Sequence, residues 1–158
     1  ERQPNHPQRA ALFAFAMHEE VAALSAELGY AINVRVGIHV GPVVAGVIGK
    51  SKYIYDLWGD TVNIASRITD EARSGIILVD ATTYRRSRHQ FEFEGPINVV
   101  GKGKGNIEVY KLIDLAPHLR EVIVYPLRLS FFAAPSSDSH RLVTAAVASA
   151  TPCGSTRA

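Results

Sequence analysis

Hydrophobic side chains recur at helical spacing along the first part of the chain, between Gln8 and Leu28. Residues three or four positions apart share one face of a helix, so this spacing predicts an amphipathic helix over 8–28. Gly29 follows directly, and glycine readily adopts the left-handed conformation with which many helices end.

Shorter apolar runs after this helix predict strands. Residues 31–40 alternate between apolar and polar positions and are rich in β-branched side chains, which is typical of a half-buried strand. Helices are predicted over 60–72, with Asp60 as the N-cap residue, and over 81–87. This order predicts an α/β (or α+β) fold in which helices cover a sheet. Further strands are predicted over 43–48, 53–58, 76–79, 91–100 and 107–113.

The pattern changes after Asp114. Residues 115–129 still carry large apolar side chains, whereas 130–158 are rich in Ser and Ala and show no sustained period. Such a segment offers little apolar surface to offset the entropy lost on ordering. We therefore expect a folded domain over 1–113 and a C-terminal extension over 114–158, poorly ordered from about residue 130.

Composition narrows the possible functions without selecting one. The 17 Lys and Arg residues against 15 Asp and Glu give a formal net charge of +2, too small an excess to indicate nucleic acid binding. Cys153 is the single cysteine, which excludes an internal disulfide and a multi-cysteine zinc site. No run of 18 apolar residues exists, so no membrane contact is expected from this segment. The polar opening without an initiating Met indicates an internal fragment.

Two glycine-rich segments match phosphate-binding motifs only in part. The sequence GVIGKS at 46–51 ends like a P-loop, but Val44 stands where that motif requires glycine. The sequence GKGKG at 101–105 lacks the last glycine of the dinucleotide fingerprint and precedes a strand rather than a helix. Both motifs are rejected, and 101–105 is interpreted as a turn between strands.

The segment YIYDLWGDTVNIASR at 53–67 carries candidate chemistry. Asn63 and Arg67 are four residues apart on one predicted helix and therefore share a face. Asp56 precedes them on a predicted strand. A carboxylate can accept from a base amine, an amide can hold a ribose, and a guanidinium can bind phosphate oxygens. From these residues alone, a solvated helix face with a capping residue is the favoured interpretation.

Four segments together resemble the class III nucleotide cyclases, the family of adenylyl and guanylyl cyclase catalytic domains. They follow the family's order and approximate spacing, which is more specific than any one of them. The segments are VRVGIHVGPVVAGVI at 34–48, YDLWGDTVNIASR at 55–67, FEFEG at 91–95 and VGKGKGNIEVYKL at 100–112.

The resemblance implies an enzyme of intracellular signal transduction. Members convert a nucleoside triphosphate into a 3′,5′-cyclic monophosphate and pyrophosphate, with two metal ions, Mg²⁺ or Mn²⁺, held on two aspartates. It implies a ferredoxin-like sandwich that works as a homodimer or with a second cyclase domain, with sites between the subunits. The expected location is cytoplasmic, and whether the parent protein is membrane-anchored stays open.

The resemblance also implies roles for individual residues. Asn63 matches the residue that orients the ribose, and Arg67 the one that stabilises the charged α-phosphate in the transition state. Lys102 and Arg35 match contacts to the β- and γ-phosphates. Asp56 occupies the purine-selecting position, and because a carboxylate cannot donate to guanine O6, it favours ATP as substrate.

The sequence departs from the family in one respect. The family's metal-holding aspartates lie on strands upstream of the position of Glu1, so no metal ligand is expected in this chain. We therefore expect an N-terminally truncated adenylate cyclase domain that is inactive alone. Two alternatives stay open: a non-catalytic module that binds nucleotide or regulates a partner, and a guanylate cyclase.

Overall fold

The structure is a computed structural model that describes residues 5–49, 52–101, 105–119 and 142–152. Over these residues the chain forms three helices and seven strands. The helices are α1 (His6–Leu28), α2 (Asp60–Glu71) and α3 (Ala81–Ser87). The strands are β1 (Ile32–Pro42), β2 (Val44–Ile48), β3 (Ile54–Trp58), β4 (Ile77–Asp80), β5 (Phe91–Gly101), β6 (Gly105–Leu115) and β7 (Leu142–Pro152).

Five of the strands form one mixed sheet in the order β5-β6-β4-β1-β7. Strands β1 and β4 are parallel, whereas β6 runs antiparallel to β4 and to β5. The remaining strands, β2 and β3, form a separate antiparallel hairpin. The predicted α/β (α+β) class is confirmed, and each helix and strand predicted from the sequence pattern is present to within a few residues.

The two faces of the sheet pack against different helices. On one face, Val36 and Ile38 of β1 are fully buried with Ala11 and Ala14 of α1. The N–H of Gly29, whose φ is +71°, donates to the Ser25 carbonyl and ends α1 as predicted. Because α1 covers this face of β1, the opposite face is available to α2.

Helix α2 covers that opposite face. Its Ile68 is fully buried in a second cluster with Leu78 of β4 and Val109 of β6. The N-cap position of α2 is held by Gly59, so the prediction of Asp60 as the cap is wrong. Gly59 has a φ of +146°, which L residues rarely adopt, so the sharp turn out of β3 is made at the glycine and Asp60 becomes the first helical residue.

Strand β7 differs from the expectation of poor order beyond about residue 130. It pairs antiparallel with the whole of β1, from Ile32 opposite Pro152 to Pro42 opposite Leu142. Without it, one row of β1 backbone groups would lie unpaired at a sheet edge. Backbone pairing of this kind does not require large side chains, which is why apolar periodicity did not predict it. The rest of the extension, from 120 to 141 and from 153 onward, lies outside the described residues, and the domain boundary at 113 stays a prediction.

Asp80 joins β4, β1 and α3 at one point. Its carboxylate caps α3 by accepting from the backbone N–H groups of Thr82 and Thr83, each at 3.0 Å, and from the Thr83 hydroxyl. His39 of β1 places its Nδ1 3.1 Å from the Asp80 Oδ2, close but not aligned as a standard hydrogen bond. Burial by itself raises the pKa of the Asp80 carboxyl, but the contacts from His39 and Thr83 outweigh burial and hold that pKa below its usual value.

The Asp80 contacts predict a pH dependence of stability. A carboxyl whose pKa is lower in the folded state stabilises the fold above the unfolded-state pKa of about 3.9, and this contribution is lost as the pH falls through the folded-state pKa. Urea unfolding between pH 7 and pH 3 should therefore show an acid loss of stability that Asp80→Asn reduces. Asp80→Ala, which also removes the cap, should lower the free energy of unfolding at pH 7 by about 1–2 kcal/mol.

The exposed carboxylate of Glu71 offers a matched control. The Glu71→Gln variant should lose as much stability between pH 7 and pH 3 as the wild type does. An Asp80→Asn variant that retained the full acid dependence of the wild type would contradict this assignment.

Candidate active site

Three of the five predicted site residues lie on one continuous unit, β3 followed by α2. Asp56 is exposed on β3, and its Oδ1 accepts from the backbone N–H of Leu57 at 2.8 Å. Asn63 is exposed on the first turn of α2, and Arg67 follows one turn later. The tight turn at Gly59 thus places the strand that bears a carboxylate directly before a helix on which an amide and a guanidinium share a face.

The guanidinium of Arg67 is half-buried and incompletely satisfied. Its Nη1 is fully buried and has no hydrogen-bond partner among the residues that the structure describes. A buried donor without a partner is unfavourable, and for a guanidinium the natural partner is an anionic oxygen. Arg67 therefore carries an unsatisfied donor on the helix face that it shares with Asn63.

Arg35 lies at the other end of α2. Its Nη1 donates to the Asp70 backbone oxygen at 3.3 Å, and its Nη2 is 3.7 Å from the Asp70 carboxylate. Asp70 is seven residues beyond Asn63, about 10 Å along the helix axis. The structure thus brings Arg35 to the C-terminal end of α2 rather than to Asn63, and its phosphate role stays a prediction.

Lys102 lies outside the described residues, after β5 and before β6 in the sequence. The flanking residues Gly101 and Gly105 are paired across the two strands, as the predicted hairpin requires. The phosphate role of Lys102 also stays a prediction.

The described part of the chain has no cluster of carboxylates that could bind the two metal ions implied by the family resemblance. Nowhere among those residues do three or more His, Cys, Asp or Glu side chains gather as metal ligands. The residues described here do not fit the two-metal group, so the chemistry open to them is hydrogen bonding and charge stabilisation by Asp56, Asn63 and Arg67.

The hairpin that carries Asp56 is strongly apolar and exposed. Tyr53 and Tyr55 are 75% and 68% exposed, and Val44 is 67% exposed. Apolar surface of this extent on one element is typical of a protein interface. Other exposed apolar side chains of the hairpin are Val47, Ile48, Ile54 and Trp58. No helix in the described ranges has the length and hydropathy needed to cross a membrane.

Comparison with known proteins adds an independent line of support. The family model for the adenylate and guanylate cyclase catalytic domain matches residues 1–114. An adenylate cyclase of Mycobacterium tuberculosis is 43% identical over 102 residues, which cover 63% of this chain and 23% of that relative. The chain thus spans about a quarter of the length of the curated relatives it matches first.

Solved structures give the same result for the fold. The guanylate cyclase domain from Catenaria anguillulae in complex with GTP aligns with a TM-score of 0.68 at 33% identity, covering 72% of this chain and 63% of that one. The catalytic core of a rhodopsin-guanylyl cyclase with converted specificity, in complex with ATPαS, aligns with a TM-score of 0.65 at 35% identity, covering 71% and 61%. The predicted nucleotide cyclase architecture is confirmed.

Proposed function

Because this chain belongs to the family of adenylate and guanylate cyclase catalytic domains, we propose that it supplies the purine- and phosphate-binding half of a site that converts ATP into 3′,5′-cyclic AMP and pyrophosphate. The observation that carries the proposal is the continuous unit of β3 and α2, which bears Asp56 on the strand and Asn63 and Arg67 one helical turn apart on the helix.

The reaction places specific demands on these side chains. The ribose 3′-oxygen loses its proton and attacks the α-phosphorus, a new P–O bond forms, and the bond to the β-phosphate oxygen breaks to release pyrophosphate. Asn63 holds the ribose so that its 3′-oxygen faces the phosphorus. Arg67 donates to the α-phosphate oxygens, on which charge accumulates as the phosphorus becomes five-coordinate.

Asp56 supports ATP over GTP. Its exposed carboxylate can accept a hydrogen bond from the 6-amino group of adenine, but it has no proton to donate to guanine O6. Among the relatives, both adenylate and guanylate cyclases occur, so the purine preference rests on this residue.

We propose a second cyclase domain, or a second copy, as the partner. The exposed apolar hairpin β2–β3 offers a surface for it directly beside Asp56. In such an assembly the partner brings its own aspartates toward the Asn63 face of α2.

The proposal is tested by complementation. The chain is mixed with an adenylate cyclase catalytic domain that keeps its metal-holding aspartates but carries Ala at the positions matching Asn63 and Arg67. In this hybrid assay, cyclic AMP can form only at a site built from both proteins. Product from the mixture supports the cyclase function. ATP binding by the mixture without product, once heterodimers are shown to form, would instead indicate a nucleotide-binding regulatory module.

The hybrid assay also tests the purine assignment. Asp56→Ala should reduce the preference for ATP over GTP, measured as the ratio of their kcat/KM values, by about 5- to 150-fold, which corresponds to one selective hydrogen bond of about 1–3 kcal/mol. The inhibition constant of pyrophosphate as a product inhibitor should change little, because Asp56 is assigned to the purine and not to the phosphates. Asp114→Ala, remote in sequence on β6, is the matched control. A wild-type preference for GTP would overturn the assignment.

A further inference from the structure

Helix α2 rests directly on two glycines of β1. Gly37 and Gly41 are four residues apart and so lie on the same face of the strand, about 13 Å from each other. Thr61 and Thr69 of α2 are both almost fully buried and lie eight residues apart, about 12 Å along the helix. The two spacings match, so that Thr61 lies over Gly41 and Thr69 over Gly37.

Neither glycine leaves room for a side chain. A Cβ on Gly41 would clash with the Thr61 Oγ1 and would lie 3.2 Å from its Cγ2. A Cβ on Gly37 would clash with Thr69 and would lie 2.7 Å from the Ala65 carbonyl oxygen. The distance between α2 and β1 is therefore set by direct contact, and the height of the helix above the sheet cannot be reduced.

The two threonines use their hydroxyl groups differently. The Thr61 Oγ1 donates to the backbone carbonyl of Pro42 at 2.6 Å, a bond from the helix to the end of β1. The Thr69 Oγ1 donates to the Ala65 carbonyl at 2.9 Å, a bond within α2. The bond from Thr61 thus restricts sliding of the first turn of α2 along the strand.

The Thr61 bond joins α2 to the end of β1, which leads into the hairpin that bears Asp56. Pro42 ends β1 and leads directly into β2, whose Gly46 is paired with Asp56 on β3. On the helix side, Thr61 is two residues before Asn63. One hydrogen bond therefore couples the position of Asn63 to the hairpin that bears Asp56.

We infer that Thr61 is a positioning residue of the cyclase site: its hydrogen bond to Pro42 fixes the first turn of α2, so that Asn63 and Arg67 face the nucleotide held by Asp56. This inference rests on the proposed function. It assigns Thr61 no contact with the nucleotide and an effect on the geometry of the reacting groups.

The test compares three variants in the hybrid assay. Thr61→Val keeps the shape but lacks the hydroxyl, Thr61→Ser keeps the hydroxyl, and Thr69→Val removes the other buried hydroxyl of the same helix. Displacement of reacting groups by about 1 Å can cost up to about 100-fold, so Thr61→Val should lower kcat by about 10- to 100-fold with little change in KM. Thr61→Ser should retain kcat within about three-fold.

Thr69→Val separates positioning from general stability. At a temperature where thermal unfolding shows every variant to be folded, it should retain kcat within about three-fold. Equal losses of kcat in Thr61→Val and Thr69→Val would mean that Thr61 is only structural and would overturn the inference. If Thr61→Val does not fold, Thr61→Ala, which also lacks the hydroxyl and is smaller, takes its place.

A second measurement on the chain itself does not depend on catalysis. The amides of Val62 and Asn63 donate to the Gly59 carbonyl in the first turn of α2. Their hydrogen exchange should become faster in Thr61→Val than in the wild type and Thr69→Val. Unchanged exchange in Thr61→Val would overturn the inference even if the hybrid is active. Faster exchange in Thr61→Val, together with a hybrid that makes no product, would support the positioning role of Thr61 but overturn the cyclase function.

Discussion

Replacing Arg67 by Ala should lower the kcat of the hybrid cyclase by about 10²- to 10³-fold while the KM for ATP stays within a few-fold. The reason is that the negative charge stabilised by Arg67 develops during the reaction. The α-phosphate gains negative charge on its oxygens chiefly as the 3′-oxygen attacks. A donor aimed at those oxygens therefore stabilises the transition state more than bound ATP.

The burial of Arg67 makes this effect large. Arg67 is only partly exposed, and charge interactions are stronger where solvent is partly excluded than on an open surface. Arg67→Lys keeps the positive charge but loses the planar pair of donors, and it should recover only part of kcat. Arg73→Ala, which removes an exposed arginine just beyond α2, is the control for a general change in charge.

Steady-state kinetics on wild type, Arg67→Ala, Arg67→Lys and Arg73→Ala provide the measurement. An Arg67→Ala variant with unchanged kcat and a strongly raised KM would mean that Arg67 binds phosphate already in the ground state. The role of Arg67 in the transition state would then be wrong, although the cyclase function itself would stand.

The second large effect is the dependence of activity on a partner. The chain alone, with ATP and Mn²⁺, should form no cyclic AMP above a blank without protein, whereas the hybrid mixture should form it readily. The described residues offer no gathered metal ligands, and the family resemblance assigns the metal-holding aspartates to strands without a counterpart in the matched segments. In the hybrid, those aspartates come from the partner.

Two control arms make this result specific. A partner that also lacks one metal-holding aspartate should abolish the activity, because no site then has both halves. The Arg67→Ala chain should restore little activity to the original partner. Turnover by the purified chain alone would contradict the prediction and would show that one protein contains the complete site.

The sequence alone places three of the predicted site residues on one local unit, because they are close in the chain. Asn63 and Arg67 are four apart on one helix, and only a short turn separates them from Asp56 on β3. Local geometry is sufficient to place such residues together. Lys102 and Arg35 are distant from this unit in sequence, and their positions relative to it depend on packing that no local pattern specifies.

The helices and strands followed from apolar periodicity, since that pattern reflects which face of each element is buried. Periodicity and motif spacing by themselves determined α1, six of the seven described strands, and the unit that carries Asp56, Asn63 and Arg67. The N-cap of α2 was harder to predict from the sequence, because Asp60 is of a residue type that is preferred at N-caps. The positive φ of Gly59 moved the cap by one residue.

Only the tertiary structure decided the contacts between distant segments. The pairing of β7 with β1 joins residues at least a hundred positions apart, as in Ile32 with Pro152, and it is made by backbone groups that every sequence carries. The ion pair of Arg35 with Asp70 and the bond from Thr61 to Pro42 likewise require α2 to lie across β1. A sequence pattern records the environment of each residue, whereas these contacts depend on the identity of the neighbour, which is fixed only when the elements pack together.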